Sequence, residues 1–297
     1  AGSGAAVTDA FASLNVGALN GISSKTFGTS SFMIGDTTTG TIDAADNNTG
    51  LGVDVFAALT TGDNNTAAGF NSLTSNTTGG ANSSFGTYSL DANTTGSENT
   101  AIGKSALGGN TTGANNTALG RHALLANTTG ANNVAVGYNA LDANTTASFN
   151  TSIGVSSLGA TTTGASNIGI GHQAMFTNTT GAQNVGIGHG SLYNNTTASN
   201  NTAVGYFSLV ANTTGSENTA VGRLSLDANT TGTNNAAVGN QALGANTTGD
   251  YNTAIGNEAL LTNTTANANT ALGNETLKVN TTGTRNTAAG ASALAAN

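Results

Sequence analysis

The chain has 297 residues with 42 Gly and no Pro, Cys or Trp, which excludes a disulfide scaffold or thiolate metal site and is not the composition of an ordinary globular core. Charged residues make up only 7%, and six Lys and Arg against fourteen Asp and Glu leave a net charge of -8, with no basic patch for nucleic acid or an anionic membrane surface. No stretch reaches the roughly 18 consecutive apolar residues of a membrane-spanning helix, so membrane insertion is not expected.

The chain opens AGSGAAVTDAF, small residues without Met, as after export processing. The segment AVTDAFASL at 6–14 suggests a short capping helix, and SFMIGD at 31–36 begins 17 residues ahead of Asn48. Residues 1–47 therefore read as an N-terminal cap or assembly segment with degenerate coils. From Asn48 an Asn recurs every 17 residues without a slip to Asn286, fifteen times in all. Self-similarity at this length marks a solenoid, each unit too small to bury a core alone and stacked on its neighbours, so 48–297 is one repeat array.

Each repeat reads Asn, Thr, small, aliphatic, Gly, two variable residues, Ala or Ser, Leu, two variable residues, then Asn-Thr-Thr-Gly and two more variable residues. Helix fits poorly, because three Thr and two Gly per repeat cost about 0.5–1 kcal/mol each in a helix. Thr-x-Val and Thr-x-Ile alternate as strands do. The expected fold class is all-β: a parallel β-solenoid or β-roll of 17-residue coils, each with two or three short strands. Fifteen coils stacked at about 4.8 Å make a rod about 70 Å long.

From Asn48 onward every charge falls at five variable places in the repeat, which must be solvated. The Leu column, Leu in thirteen of fifteen coils and otherwise Phe56 or Met175, is the expected core, with Leu209, Leu226, Leu243 and Leu260 as members. The strand aliphatics, Val204 and Val221 among them, are expected to face inward with it. The opposite strand face, Ala203, Ala220, Ala254 and their equivalents, never carries a large residue, which points to an assembly face packed against another chain or a second layer. Gly after the aliphatic suits either that close packing or a turn with positive φ. The Asn and Thr columns are expected to hydrogen-bond from coil to coil.

Candidate chemistry is sparse. His172 and His189 occupy the same place in consecutive coils, but no carboxylate shares their coils to complete a metal site. Asp43, Asp46, Asn47, Asp63, Asn64 and Asn65 are oxygen donors without the glycine spacing of calcium-binding solenoids. No nucleophile, base and orienting acid recur together, so no catalysis, metal or cofactor is expected. The repeated Asn-Thr-Thr is also the N-glycosylation sequon, but glycans every 4.8 Å or so would crowd one another. Asn64, Asn115, Asn200 and Asn274 lie off that column and are the better candidate glycosylation sites. Tyr138, Tyr206, Phe70 and Phe207 are candidate contacts for surface carbohydrate or neighbouring rods.

NVAVGYNAL at 133–141 with NTTG, repeated over 48–297, resembles the arrays of tail-fibre-like surface proteins and, more distantly, the β-solenoid heads of trimeric autotransporter adhesins. The resemblance implies a parallel β-roll, often trimeric, displayed outside a cell or particle for adhesion. An extracellular structural fibre or adhesin stalk is thus expected, self-associating as a homotrimer or end to end. In the end-to-end case the last coil, which stops mid-repeat at Asn297, would be completed by residues 1–47 of the next subunit. A phage receptor-binding fibre and an ice-binding solenoid using one of the two Thr columns are the alternatives.

Overall fold

A computed structural model describes residues 24–27, 31–35 and 44–296. The capping helix expected at 6–14 lies outside these residues, as does Asp43. Strand β1 (Ser24–Phe27) pairs antiparallel with β2 (Ser31–Ile34), and β2 pairs in parallel with β3 (Thr49–Leu51). One three-residue strand then recurs per coil, through β12 (Thr202–Val204) and β13 (Thr219–Val221) to β17 (Thr287–Ala289). From β2 to β17 all sixteen are parallel, each residue paired with its copy one repeat on, as Val204 is with Val221. The structure is an all-β solenoid with a 17-residue coil.

Each coil holds one strand rather than two or three. Coil-to-coil hydrogen bonds nevertheless continue around the circumference: Tyr88 N donates to Phe70 O, Leu90 N to Ala106 O, and Thr94 N to Thr111 O. The backbone between them departs from β geometry. The Leu column is left-handed throughout (Leu226, φ 52°), as are two of the variable columns, represented by Leu224 (φ 51°) and Glu217 (φ 62°). A left-handed conformation costs a non-Gly residue roughly 1–2 kcal/mol. It also turns two adjacent side chains, Ser225 and Leu226, into the interior together, which an extended strand cannot do. Burial of each Leu contributes about 1.5–3 kcal/mol and offsets the strain. Glycine after the strand takes φ between 117° and 143°, and a Cβ there would run into the next coil's backbone, so both reasons for Gly hold.

The strand faces are the reverse of those expected. Ala203, Ala220 and Ala254 are fully buried inside the coil, beneath the Leu column, rather than on an assembly face. Val204 and Val221 sit on the outer face, partly exposed, with Ile255 at 45% and Leu119 at 44% exposure in the same column. The reason is the width of the interior, which admits one Leu per coil. Leu209, Leu226, Leu243 and Leu260 fill it and leave room only for Ala, Ser or Gly on the strand's inner face. Size is compensated between the two columns. Where Phe56 replaces Leu, the strand residue is Gly50, and a Cβ there would lie 3.0–3.2 Å from Val55, Met33 and Phe56. Where Met175 replaces Leu, the strand residues of its own and the next coil are Gly169 and Gly186. No other coil has Gly at that place.

Two buried Asn columns close the coil. The leading Asn218 accepts at Oδ1 from Asn235 N (3.0 Å) and Asn235 Nδ2 (3.1 Å), and its own Nδ2 donates to Gly232 O (2.8 Å). In the second column Asn229 Nδ2 donates to Asn212 Oδ1 (2.9 Å) and to the same Gly232 O (3.0 Å). One glycine carbonyl thus ties both columns around the Thr-Thr-Gly corner. At the head of the stack Ser31 stands in for the leading Asn, accepting from Asn48 N at 2.9 Å.

The second Asn column breaks at Thr161, which leaves the buried Oδ1 of Asn144 without a partner. Thr161→Asn restores the missing donor and should stabilise the fold by about 0.5–1.5 kcal/mol, the net worth of a hydrogen bond. The faces are tested by three substitutions compared by chemical denaturation. Leu226→Ala should cost about 2–5 kcal/mol. Ala220→Gln should cost at least about 1–3 kcal/mol through overpacking. Val221→Thr should change stability by about 0.5 kcal/mol or less. A silent Ala220→Gln would contradict the inward placement.

Candidate functional site

With the interior committed to Leu and Asn, function falls to the outward columns. The column after the strand glycine carries the densest chemistry: Lys104, Arg121, Tyr138, His172, His189, Tyr206 and Arg223, all exposed. Their rings stack along the rod because in-register coils bring copies of one place together. His172 and His189 centroids are 5.1 Å apart and His189 and Tyr206 5.4 Å, while Arg121 lies 5.6 Å from the Tyr138 centroid. Phe207 meets His189 edge-on at 5.0 Å and lies over Gly190, where any side chain would overlap its ring. Ring faces used in stacking leave ring edges to a ligand.

Among the described residues no group of three or more His, Cys, Asp or Glu is placed to hold a metal ion. The oxygen donors near the head of the array are used within the fold. Asp63 Oδ1 accepts from Asp46 N (2.7 Å), and Asn65 belongs to the leading Asn column. The same contact recurs where Asp250 Oδ1 accepts from Thr233 N and where Ser97 Oγ accepts from Gly80 N.

The two Thr columns separate. The first hydroxyl donates to the next coil, Thr77 Oγ1 to Thr94 O at 3.0 Å, and ahead of the last coil only the second, such as Thr78 and Thr95, is exposed. Every Asn-Thr-Thr sequon lies in the buried second Asn column, where its amide is engaged. Asn64, Asn115 and Asn200, each just ahead of a strand, and Asn274 after one, are exposed.

Asp91, Asp142 and Asp227 stand in three like sites that sequence reasoning missed. Each is followed one coil on by Gly (Gly108, Gly159, Gly244) and two coils on by Leu125, Phe176 or Leu261. The Gly opens a gap that the carboxylate enters from one side and the apolar side chain from the other. A Cβ on Gly244 would lie 3.2 Å from Leu261 Cδ1 and 3.4 Å from Asp227 Oδ1. Burial accordingly pushes all three carboxyls up from the ordinary 3.8, against hydrogen bonds from backbone amides that hold them down. The triplet spacing was the signal available in the sequence.

A folded pKa above the unfolded value means stability that is full below about 3.8 and lost as pH rises through the folded value. The triple variant Asp91→Asn, Asp142→Asn, Asp227→Asn should melt higher than wild type at pH 7, the gap closing as pH falls toward 4. An equal gap at both pH values would exclude the buried carboxylates as its cause. No family model, curated protein or solved structure matches the chain.

Proposed function

We propose that the chain is the non-catalytic shaft of an extracellular structural fibre or adhesin stalk, displayed on a cell or particle surface. The observation that carries this is the use of polar groups. Both Asn columns, the first Thr hydroxyls and many side chains of the Asp, Ser and Asn column hold one coil to the next, so the residues that recur most strictly make a rod. A rod supplies length and a repeated surface. The resemblance to tail-fibre-like and adhesin arrays supports the same role.

The ligand class that suits the outward columns is surface carbohydrate. The stacked edges of His172, His189 and Tyr206 run beside Arg223 and the exposed amides of Asn240 and Asn257, which bond one another at 3.0 Å. Asn64, Asn115, Asn200 and Asn274 are the sites that would carry sugar in a glycosylating host. The alternative, ice binding by the exposed second Thr column, which is Thr at every place from Thr61 to Thr282, would be favoured by thermal hysteresis of the purified chain.

Electron microscopy of the purified chain should show rods about 70 Å long. Antibody against it should decorate the outside of intact source cells or particles. Compact particles, or label found only after the cells are opened, would overturn the proposal.

A further inference from the structure

One coil near the head of the array carries a notch that the fold does not require. In the column that follows the corner glycine, Asp63 Oδ1 accepts from Asp46 N at 2.7 Å, Ser97 Oγ from Gly80 N at 3.1 Å and Ser148 Oγ from Ala131 N at 3.0 Å. Gly80 is the one Gly in that column from Asp46 to Thr284, and the small Ala81 stands beside it. The backbone does not need glycine there. Its φ is not positive, and a Cβ would meet only the Asp63 backbone, 3.1 Å from the carbonyl O. Without a side chain at Gly80, Asp63 N has no acceptor among the described residues.

The result is a groove of about 320 Å³, at the small end of the roughly 300–1,000 Å³ of small-molecule sites. Asn64 and Glu98, which line it, stand one coil before and one coil after Ala81, two rises of about 4.8 Å apart. Thr61 and Thr78 of the exposed Thr column line it as well. The lining holds two carboxylates, Asp63 and Glu98, but no Lys, Arg, His or aromatic ring, and neither carboxylate is in an ion pair within the described residues. A cleft lined by one sign of charge draws the opposite sign. Among the described residues no third acid or His is placed to complete a metal site, so a cation in the notch has to bring hydrogen-bonding groups of its own.

We infer that this notch binds an amino sugar. The ammonium meets Glu98 and the Oδ2 of Asp63, which Asp46 N does not use, while the ring hydroxyls bond Asp63 N–H, the Asn64 amide and Thr78 Oγ1. Sugar hydroxyls suit a lining of mixed donors and acceptors because each can both donate and accept. A polyamine brings the charge without the hydroxyls, and a neutral sugar brings the hydroxyls without the charge. The inference gives the carbohydrate reading of the rod surface a place and a sugar class, and it rests on that reading for where such a sugar is met.

Titration calorimetry of the full chain, made in a host without N-glycosylation so that Asn64 is bare, should show binding of a glucosamine tetramer. Its N-acetylated counterpart and spermine should each bind at least about tenfold more weakly. Gly80→Thr, which gives this coil the residue that Thr233 is in its own, should abolish binding without lowering the melting temperature. Asp63→Asn keeps an acceptor for Asp46 N, as Asn267 Oδ1 is for Asp250 N at 2.7 Å, and should weaken binding about tenfold, as should Glu98→Gln. Asp250→Asn, in the same column farther along the rod, should leave binding unchanged. A wild type that does not bind the glucosamine tetramer, equal binding of the acetylated tetramer or of spermine, or a Gly80→Thr variant that binds as wild type would refute the inference. Surface rods that bind no amino sugar would leave the proposed fibre role standing without this site, and binding by a chain found only inside cells would remove that role and keep the site.

Discussion

The structure depends on the two buried Asn columns. A coil of 17 residues around one Leu has little interior, and its backbone turns too sharply to satisfy its polar groups within the sheet. Asn can accept and donate through one short amide, and the leading Asn does both, taking the next coil's N–H on Oδ1 and giving Nδ2 to the corner carbonyl. An unpaired polar group in that dry interior would cost about 1–3 kcal/mol. The Oδ1 bonds run to the neighbouring coil, and the Nδ2 bonds to the corner carbonyl close each coil on itself. No coil is complete alone, and stability accrues by nearest-neighbour contact as in other stacked repeats.

That dependence explains both the strain and the monotony. Leu in the left-handed conformation is a poor local choice, and an isolated repeat would have little reason to adopt it. Stacking supplies the reason, since the same conformation directs Ser225 and Leu226 inward and aligns their backbone with the next coil. A change in one coil is then felt by its neighbours. Phe56 with Gly50, and Met175 with Gly169 and Gly186, are adjustments of this kind, as is the run from Asp227 through Gly244 to Leu261.

The period, the Leu column, the solvated charges other than Asp91, Asp142 and Asp227, and the turn glycine were legible in the sequence because each is a single-column property. The facing of the strand was not. Alternation says that two faces exist and leaves open which is inside, and a column of Ala looks equally like a crowded outer contact or a narrow interior. What decides the matter is covariation between columns: the three coils with Gly on the inner strand face are the two that carry Phe56 or Met175 and the one stacked after Met175. That correlation is present in the sequence but visible only when columns are compared pairwise. The number of strands per coil was hidden for a different reason. Nothing in the propensity of Leu, Ser or Asn announces a left-handed residue that interrupts the β pattern, since that conformation is imposed by the stack.

Once the inner columns are accounted for, the outward columns differ in how much they are left unexplained. The stacked rings of His172, His189 and Tyr206 and the amides of Asn240 and Asn257 bond within their own column, so solvent is a sufficient neighbour for them. The strand aliphatics are different. Thr would serve an exposed strand as well as Val or Ile in β propensity, and it does so two residues earlier on the same face. Yet Thr never replaces the aliphatic in fifteen coils, where only Ala, Phe, Leu, Val and Ile occur. Coil packing cannot be the cause, because these side chains point away from it. What the outer face offers is a strip uniform along the rod, apolar at every rung and repeating at the interval of the coil.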